Sequence, residues 1–245
     1  MADPDIERFR SANAGLSKLV NDELAGFFGA LNLAKPEAAR DALLEFVPLL
    51  VEQYGAVAES LALDWYDEQR ALSGGSGSFR AIASAGGIPS GAIESKVRFL
   101  ARALWTPGPD SMLGGLATAV DKYVKQPGRD VFPFNARREG ARWARVPTGA
   151  KTCAFCLLLA SRDAAYISRQ SASQGRDGGR YHGKCDCVAT RIGPQDDYPP
   201  GYLPAESYEM YQTARDDAGS GDLNEIAASI RRLYPEYLTD GVHAH

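Results

Sequence analysis

The stretch PEAARDALLEFVPLLVEQYGAVAESLALDWYDEQRAL, residues 36–72, decides the fold class of this chain. Leu43, Leu44, Val47, Leu50, Val51, Tyr54, Val57, Ala58, Leu61 and Trp65 recur at steps of three and four, which sets them along one side of an α-helix. Pro36 suits the first turn, where its missing N–H has no intrahelical partner to lose. Pro48 and Gly55 are interior breakers, and a bend is expected at each. A helix of this length must be covered by other elements, because its apolar stripe is too wide to leave in water.

Working outward, Leu16, Leu19, Val20, Leu24, Phe27, Phe28 and Leu31 keep the same spacing and predict a helix before it. SGGSGS at 73–78 has no side chains to bury and reads as a flexible connector. A helix over 90–105 is expected to end at Pro107-Gly108-Pro109, another to cover 110–125, and a basic one with Arg137, Arg138, Arg142 and Trp143 to cover 135–144. From Arg145-Val146-Pro147-Thr148-Gly149 the character changes. Short β-prone pieces at 165–168 and 188–192 flank a Ser/Gln/Gly/Arg loop at 169–180. Helices over 205–217 and 223–233 close the chain, with Tyr208, Met210 and Tyr211 expected to pack back on the scaffold.

The fold class read from this pattern is mainly α: a helical N-terminal scaffold, then a small α+β module stapled by a Cys/His metal site, then two C-terminal helices. The boundaries fall at 1–72 for the N-terminal helical region, 73–144 for the helical region after the Gly/Ser connector, 145–195 for the stapled module and 196–245 for the C-terminal helices and tail.

The chain has 245 residues, 44% of them apolar, enough to bury a core in one large or two modest domains. No stretch approaches the roughly eighteen uninterrupted apolar residues of a membrane span, so no membrane partner is expected. The start MADPDIERFR is charged where a signal peptide needs an apolar core. A protein made in a host cytoplasm, with reduced thiols, is the expectation. The formal net charge of −4 conceals a segregation: residues 1–121 carry −6, residues 122–191 carry +9 and residues 192–245 carry −7. A basic block of this size suits a polyanion or an acidic protein surface, unless the acidic flanks neutralise it within the molecule.

All four cysteines lie within that block. Cys153 and Cys156 form a C-x-x-C step at the start of the apolar run Leu157-Leu158-Leu159-Ala160, and Cys185 and Cys187 follow His182 in HGKCDC. Two soft-ligand pairs joined by a glycine-rich loop are how a chain builds a tetrahedral zinc site. The loop has no apolar core, and a metal tying its ends would supply about 10–16 kcal/mol. Five candidates compete for four positions: Cys153, Cys156, His182 and Cys185 are favoured, with Cys187 either replacing His182 or packing beneath the site.

Three other readings compete. A thioredoxin-like redox C-x-x-C would need a βαβ context and leaves His182, Cys185 and Cys187 without a role. Disulfides, or separate buried thiols, would use the four cysteines without metal. A zinc-stapled nuclease would need a catalytic histidine, and the chain has only His182, His243 and His245. H-E-x-x-H, G-x-x-x-x-G-K-[ST] and G-x-S-x-G are all absent from the sequence. No catalytic residue is assigned.

The run RVPTGAKTCAFCLLLAS at 145–161, Tyr166, the segment Tyr181-His182-x-x-Cys185-Asp186-Cys187 and the upstream Asp64-Trp65-Tyr66-Asp67-Glu68 together resemble the Mu F-like minor capsid proteins of tailed phages, especially those infecting actinobacteria. The specific likeness spans 64–192. Many members end in H-x-x-C-R-C, whereas this chain has Asp186 between the last two cysteines, which removes a cation there and leaves the ligands in place. The resemblance implies a head-morphogenesis protein of the virion, held in the capsid interior near the portal. Its partners would be the portal protein, the major capsid protein, or both, with non-specific contact to packaged DNA through the basic segment, including Arg137, Arg138, Arg142 and Arg145. Copies of the chain itself complete the expected partners. It implies a structural protein with a role in packaging or ejection. The competing class is a thiol oxidoreductase or a capsid-processing enzyme using the C-x-x-C region.

Overall fold

The computed structural model describes residues 4–75, 77–84, 87–89, 91–162, 187–193, 198–199 and 201–242. Among these the chain is mainly helical: α1 Pro4–Gly29, α2 Pro36–Leu72, α3 Ala92–Leu100, α4 Met112–Glu139, α5 Ala154–Ala160, α6 Pro204–Ala218 and α7 Leu223–Leu233. One antiparallel pair, β1 Arg142–Val146 and β2 Val188–Ile192, is the only sheet among the described residues. No described helix is long and apolar enough to cross a membrane.

The helix read from residues 36–72 has those bounds, with Pro36 in its first turn and Pro48 inside it. Leu43, Val47, Leu50, Val51 and Ala58 are buried against α1, α3 and α4. Val57, assigned to the same stripe, is exposed, as is Leu19 on α1. Each lies at the edge of its stripe, where a helix of 3.6-residue period turns away from its neighbours.

The segment after the Pro-Gly-Pro breaker corrects the sequence reading most. Two helices were expected, over 110–125 and 135–144; one helix, α4, runs from Met112 through Pro127 and Pro133 to Glu139, and residues 142–146 are a strand. Interior prolines cost a helix about 3 kcal/mol each, and packing on α2 outweighs them here. A Cβ built at Gly55 would meet the Pro127 ring at 3.5 Å, and one built at Gly128 would meet the Ala58 carbonyl oxygen at 2.6 Å. The two helices therefore cross backbone to backbone, and Val124, Val131 and Phe132 bury beside the crossing. Gly140, at φ +74°, ends α4 in the left-handed conformation. The helix expected over 90–105 is α3 followed by a 3-10 segment, Ala101–Trp105.

β1 and β2 pair in the register Arg142↔Ile192 to Val146↔Val188. The sheet docks on the ends of α2 and α4 through Trp143, Ala144 and Ile192, which share a core with Trp65, Tyr66 and Phe132. Asn135, fully buried on α4, donates to the Ile82 carbonyl and accepts from its N–H, which clips the strand of chain after the connector to the scaffold. The C-terminal helices pack on α5: Ala214, Ile226 and Ile230 surround Leu158 and Leu159. Met210 and Tyr211 join that core rather than the N-terminal scaffold, and Tyr208 is exposed.

Candidate metal centre

α5 begins at the C-x-x-C step. Cys153 is its N-cap in extended conformation, and its Sγ accepts the Cys156 N–H at 3.2 Å, the knuckle contact in which a backbone donor meets a sulfur. The same turn is held from the far end of the chain. Thr152 N–H donates to the Tyr237 carbonyl at 3.2 Å, Thr239 N–H to the Thr152 carbonyl at 2.8 Å, and Asp240 Oδ1 accepts the Ala154 N–H at 2.9 Å. Asp240 Oδ2 accepts from Arg231 Nε at 2.8 Å, so one carboxylate joins the start of α5 to the end of α7. These C-terminal residues were not among the sequence-read site. A short-range motif carries no signal for a partner more than eighty positions away.

Cys187 arrives from the other side, directly before β2. The register pairs Arg145 with Ala189, so Cys187 is the diagonal neighbour of Arg145 on the same face of the ribbon. Arg145 Nε and Nη2 donate to Cys187 Sγ at 3.2 and 3.0 Å, and the guanidinium carbon lies 5.9 Å from the centre of the Phe155 ring. A guanidinium fork is complementary to an anionic acceptor, which suits a thiolate at this position. Cys153, Cys156 and Cys187 form one buried cluster with Phe155 against it, at 6%, 0% and 7% exposure, and none of the three is in a disulfide.

Thus three of the five predicted ligands meet. His182 and Cys185 lie outside the described residues, as do the loop at 169–180, the β-prone piece at 165–168, and His243 and His245. Among the described residues no three His, Cys, Asp or Glu side chains converge closely enough to hold a metal ion. The donor chemistry suits a soft metal: thiols only, one already accepting a backbone N–H and another facing a cation that would offset thiolate charge.

Two cations of the basic block turn inward. Arg145, expected on a docking surface, is fully buried. Arg191 is also buried, and its Nε and Nη2 grip both oxygens of Glu139 at 2.7 Å while its Nη1 reaches Ser73 Oγ at 2.7 Å. Tyr66 Oη and Arg70 Nε add donors to Glu139 at 2.8 and 3.1 Å. Burial pushes the Glu139 carboxyl up, but the Arg191 and Tyr66 hydrogen bonds and the Arg191 and Arg70 charges outweigh it, so it ionises below its ordinary range. Burial, then the bond to Glu139, pushes the Tyr66 phenol far above its ordinary value. This network joins the ends of α2 and α4 to β2. Arg138 stacks over Phe79 at 4.9 Å and donates to the Arg80 carbonyl at 3.2 Å. Arg191 therefore holds the module to the scaffold, whereas Arg138 fastens the segment after the connector to α4.

Cys187 also lines a cavity of ≈ 280 Å³ between α1 and α4, with Phe9, Arg10, Lys125, Arg129 and Phe132. Lys125 pairs there with Asp121 at 2.9 Å, and Arg10 with Glu7 at 2.8 Å.

The sequence pattern of the VG15 protein family matches residues 1–214, and the chain belongs to that family, a family of phage viral-gene proteins. No curated protein and no solved structure matches it.

Proposed function

We propose that this phage protein is a structural minor capsid component acting in head morphogenesis at the portal or inner capsid, with a part in genome packaging or ejection and a structural zinc site in residues 145–195. Membership in a phage family supports a virion role, and the resemblance at 64–192 supports the minor capsid assignment. The observation that favours a staple over redox chemistry is the burial of the sulfurs. A redox C-x-x-C must offer its N-terminal sulfur to a partner thiol, whereas Cys153 is 6% exposed and is engaged in capping α5.

In this reading Cys153 and Cys156 supply one pair of zinc ligands, and the second pair comes from His182, Cys185 and Cys187. Zinc bound there would supply a closed four-coordinate cross-link with no position open to substrate. The chain's own contribution is to orient the sulfurs. The 237–240 segment fixes the α5 turn, Cys187 is placed by the strand β2 that directly follows it, and Arg145 compensates thiolate charge from outside the ligand set.

Elemental analysis of protein purified without chelator should find one zinc per chain, and chelation should unfold the module. Protein without metal, with Cys153 rapidly alkylated in the native state, would instead favour the thiol oxidoreductase. Position in the particle tests the capsid role. Labelled protein should mark a single vertex of purified heads, and label spread over the shell or missing from particles refutes it.

A further inference from the structure

The residues that follow α7 close on themselves and on the cysteine turn. Pro235–Tyr237 make one 3-10 turn, and Gly241 returns against its start: a Cβ built at Gly241 would meet Pro235 Cα and the Pro235 carbonyl oxygen, both at 2.6 Å. Within residues 235–242 Leu238 alone is buried, at 2% exposure, and it shares a core with Ala154, Leu157 and Leu158. This compact loop is pinned at two places. At the turn it engages both backbone groups of Thr152 and the Ala154 N–H. At the end of α7 Arg231 holds it twice, through Nε to Asp240 Oδ2 at 2.8 Å and through its carbonyl, which accepts the Val242 N–H at 2.9 Å.

The dependence between loop and turn runs one way. α5 has only seven residues, and a helix that short does not persist in water without support. Ala154, at its start, is fully buried, and its N–H loses its acceptor if Asp240 leaves. The scaffold, by contrast, takes no support from the loop, since neither core built on α1 to α4 contains a residue of 235–242. A segment keyed by one apolar side chain, with its remaining bonds near solvent, belongs to the low-stability end of a fold and opens before the core does.

We propose that residues 235–242 form a strap that gates the cysteine turn. Closed, it keeps Cys153 and Cys156 buried. Released, it lets the start of α5 unravel and brings both sulfurs to solvent while the scaffold stays folded. Because Arg231 holds the strap from α7, a displacement at the end of that helix reaches the sulfurs through Asp240. The inference rests on the position of the sulfurs and stands apart from the zinc and capsid readings.

The test is alkylation of the native, whole chain with N-ethylmaleimide, with labelled cysteines identified by peptide mass. Cys153 and Cys156 of the wild type should label slowly, through opening of the strap. Gly241→Ala, whose nearest obstruction is the Pro235 backbone, and Leu238→Asp, which withdraws the buried key, should each raise labelling at both cysteines tenfold or more. Amide exchange in α2 and α4 should stay at the wild-type rate in both variants. Labelling unchanged in both overturns the proposal, as does wild-type labelling as fast as in the urea-unfolded chain. Faster labelling accompanied by faster exchange in α2 and α4 also overturns it, because the opening would then be global. Zinc measured in the same samples is a separate readout: its absence counts against the staple and leaves the labelling comparison standing.

Discussion

Gly128→Ala tests the crossing on which the scaffold depends. The added Cβ would lie 2.6 Å from the Ala58 carbonyl oxygen and 3.1 Å from its carbonyl carbon, where ordinary contact begins near 3.4 Å. Backbone cannot rotate away as a flexible side chain can, so α2 and α4 must part by most of an ångström, loosening Val124, Val131 and Phe132. Alanine also raises helix propensity by about 1 kcal/mol over glycine, a gain that partly conceals the clash. Gly15→Ala supplies the control: Gly15 lies within α1, with nothing inside 4 Å of a built Cβ. Both substitutions gain the same propensity, so their difference isolates the overpacking, expected at about 3 kcal/mol because the obstructing atoms are backbone. Urea unfolding gives both values, with unchanged m-values required for the comparison. If Gly128→Ala were stabilised as much as Gly15→Ala, the close crossing would be wrong.

Glu139→Gln leaves Arg191 buried without its counter-charge and should cost about 3–5 kcal/mol in urea unfolding. In the wild type the depressed Glu139 pKa contributes stability that is fully present above the ordinary Glu value of 4.5 and is lost as pH falls through the lower folded value. A pH series of unfolding midpoints should therefore decline below about 4.5, and Glu139→Gln should flatten that limb; an unchanged slope refutes the assignment. Asp240→Ala removes the acceptor for Ala154 N–H and the partner of Arg231. It should cost about 1–2 kcal/mol and raise amide exchange at residues 152–158, and unaltered exchange there would show that the C-terminal segment does not hold the cysteine turn.

The buried arginines change how the charge segregation is understood. A surplus of +9 over residues 122–191 invites a surface reading, yet Arg145 faces a sulfur and Arg191 faces a carboxylate inside the protein. Net charge counts side chains without their directions. It marks a segment as unusual and leaves open whether its cations meet solvent or fill the interior.

Residues 36–72 determined their own helix, because a 3.6-residue apolar period is a local property that needs no partner to be read. Cys153 and Cys156 were likewise legible from spacing, and so was β2, where β-branched residues dominate Val188–Ile192. β1 was not. Arg142-Trp143-Ala144-Arg145-Val146 becomes a strand because β2, more than forty residues later, supplies its hydrogen bonds. α4 was read as two helices; Pro127 and Pro133 argue locally for a break, and the crossing at Gly55, Ala58 and Gly128 outweighs them. The pairing of Arg145 with Cys187 was hidden for the same reason. Periods, caps and metal spacings are written in neighbouring residues, whereas the choice between competing local tendencies belongs to contacts that exist only once distant segments have packed.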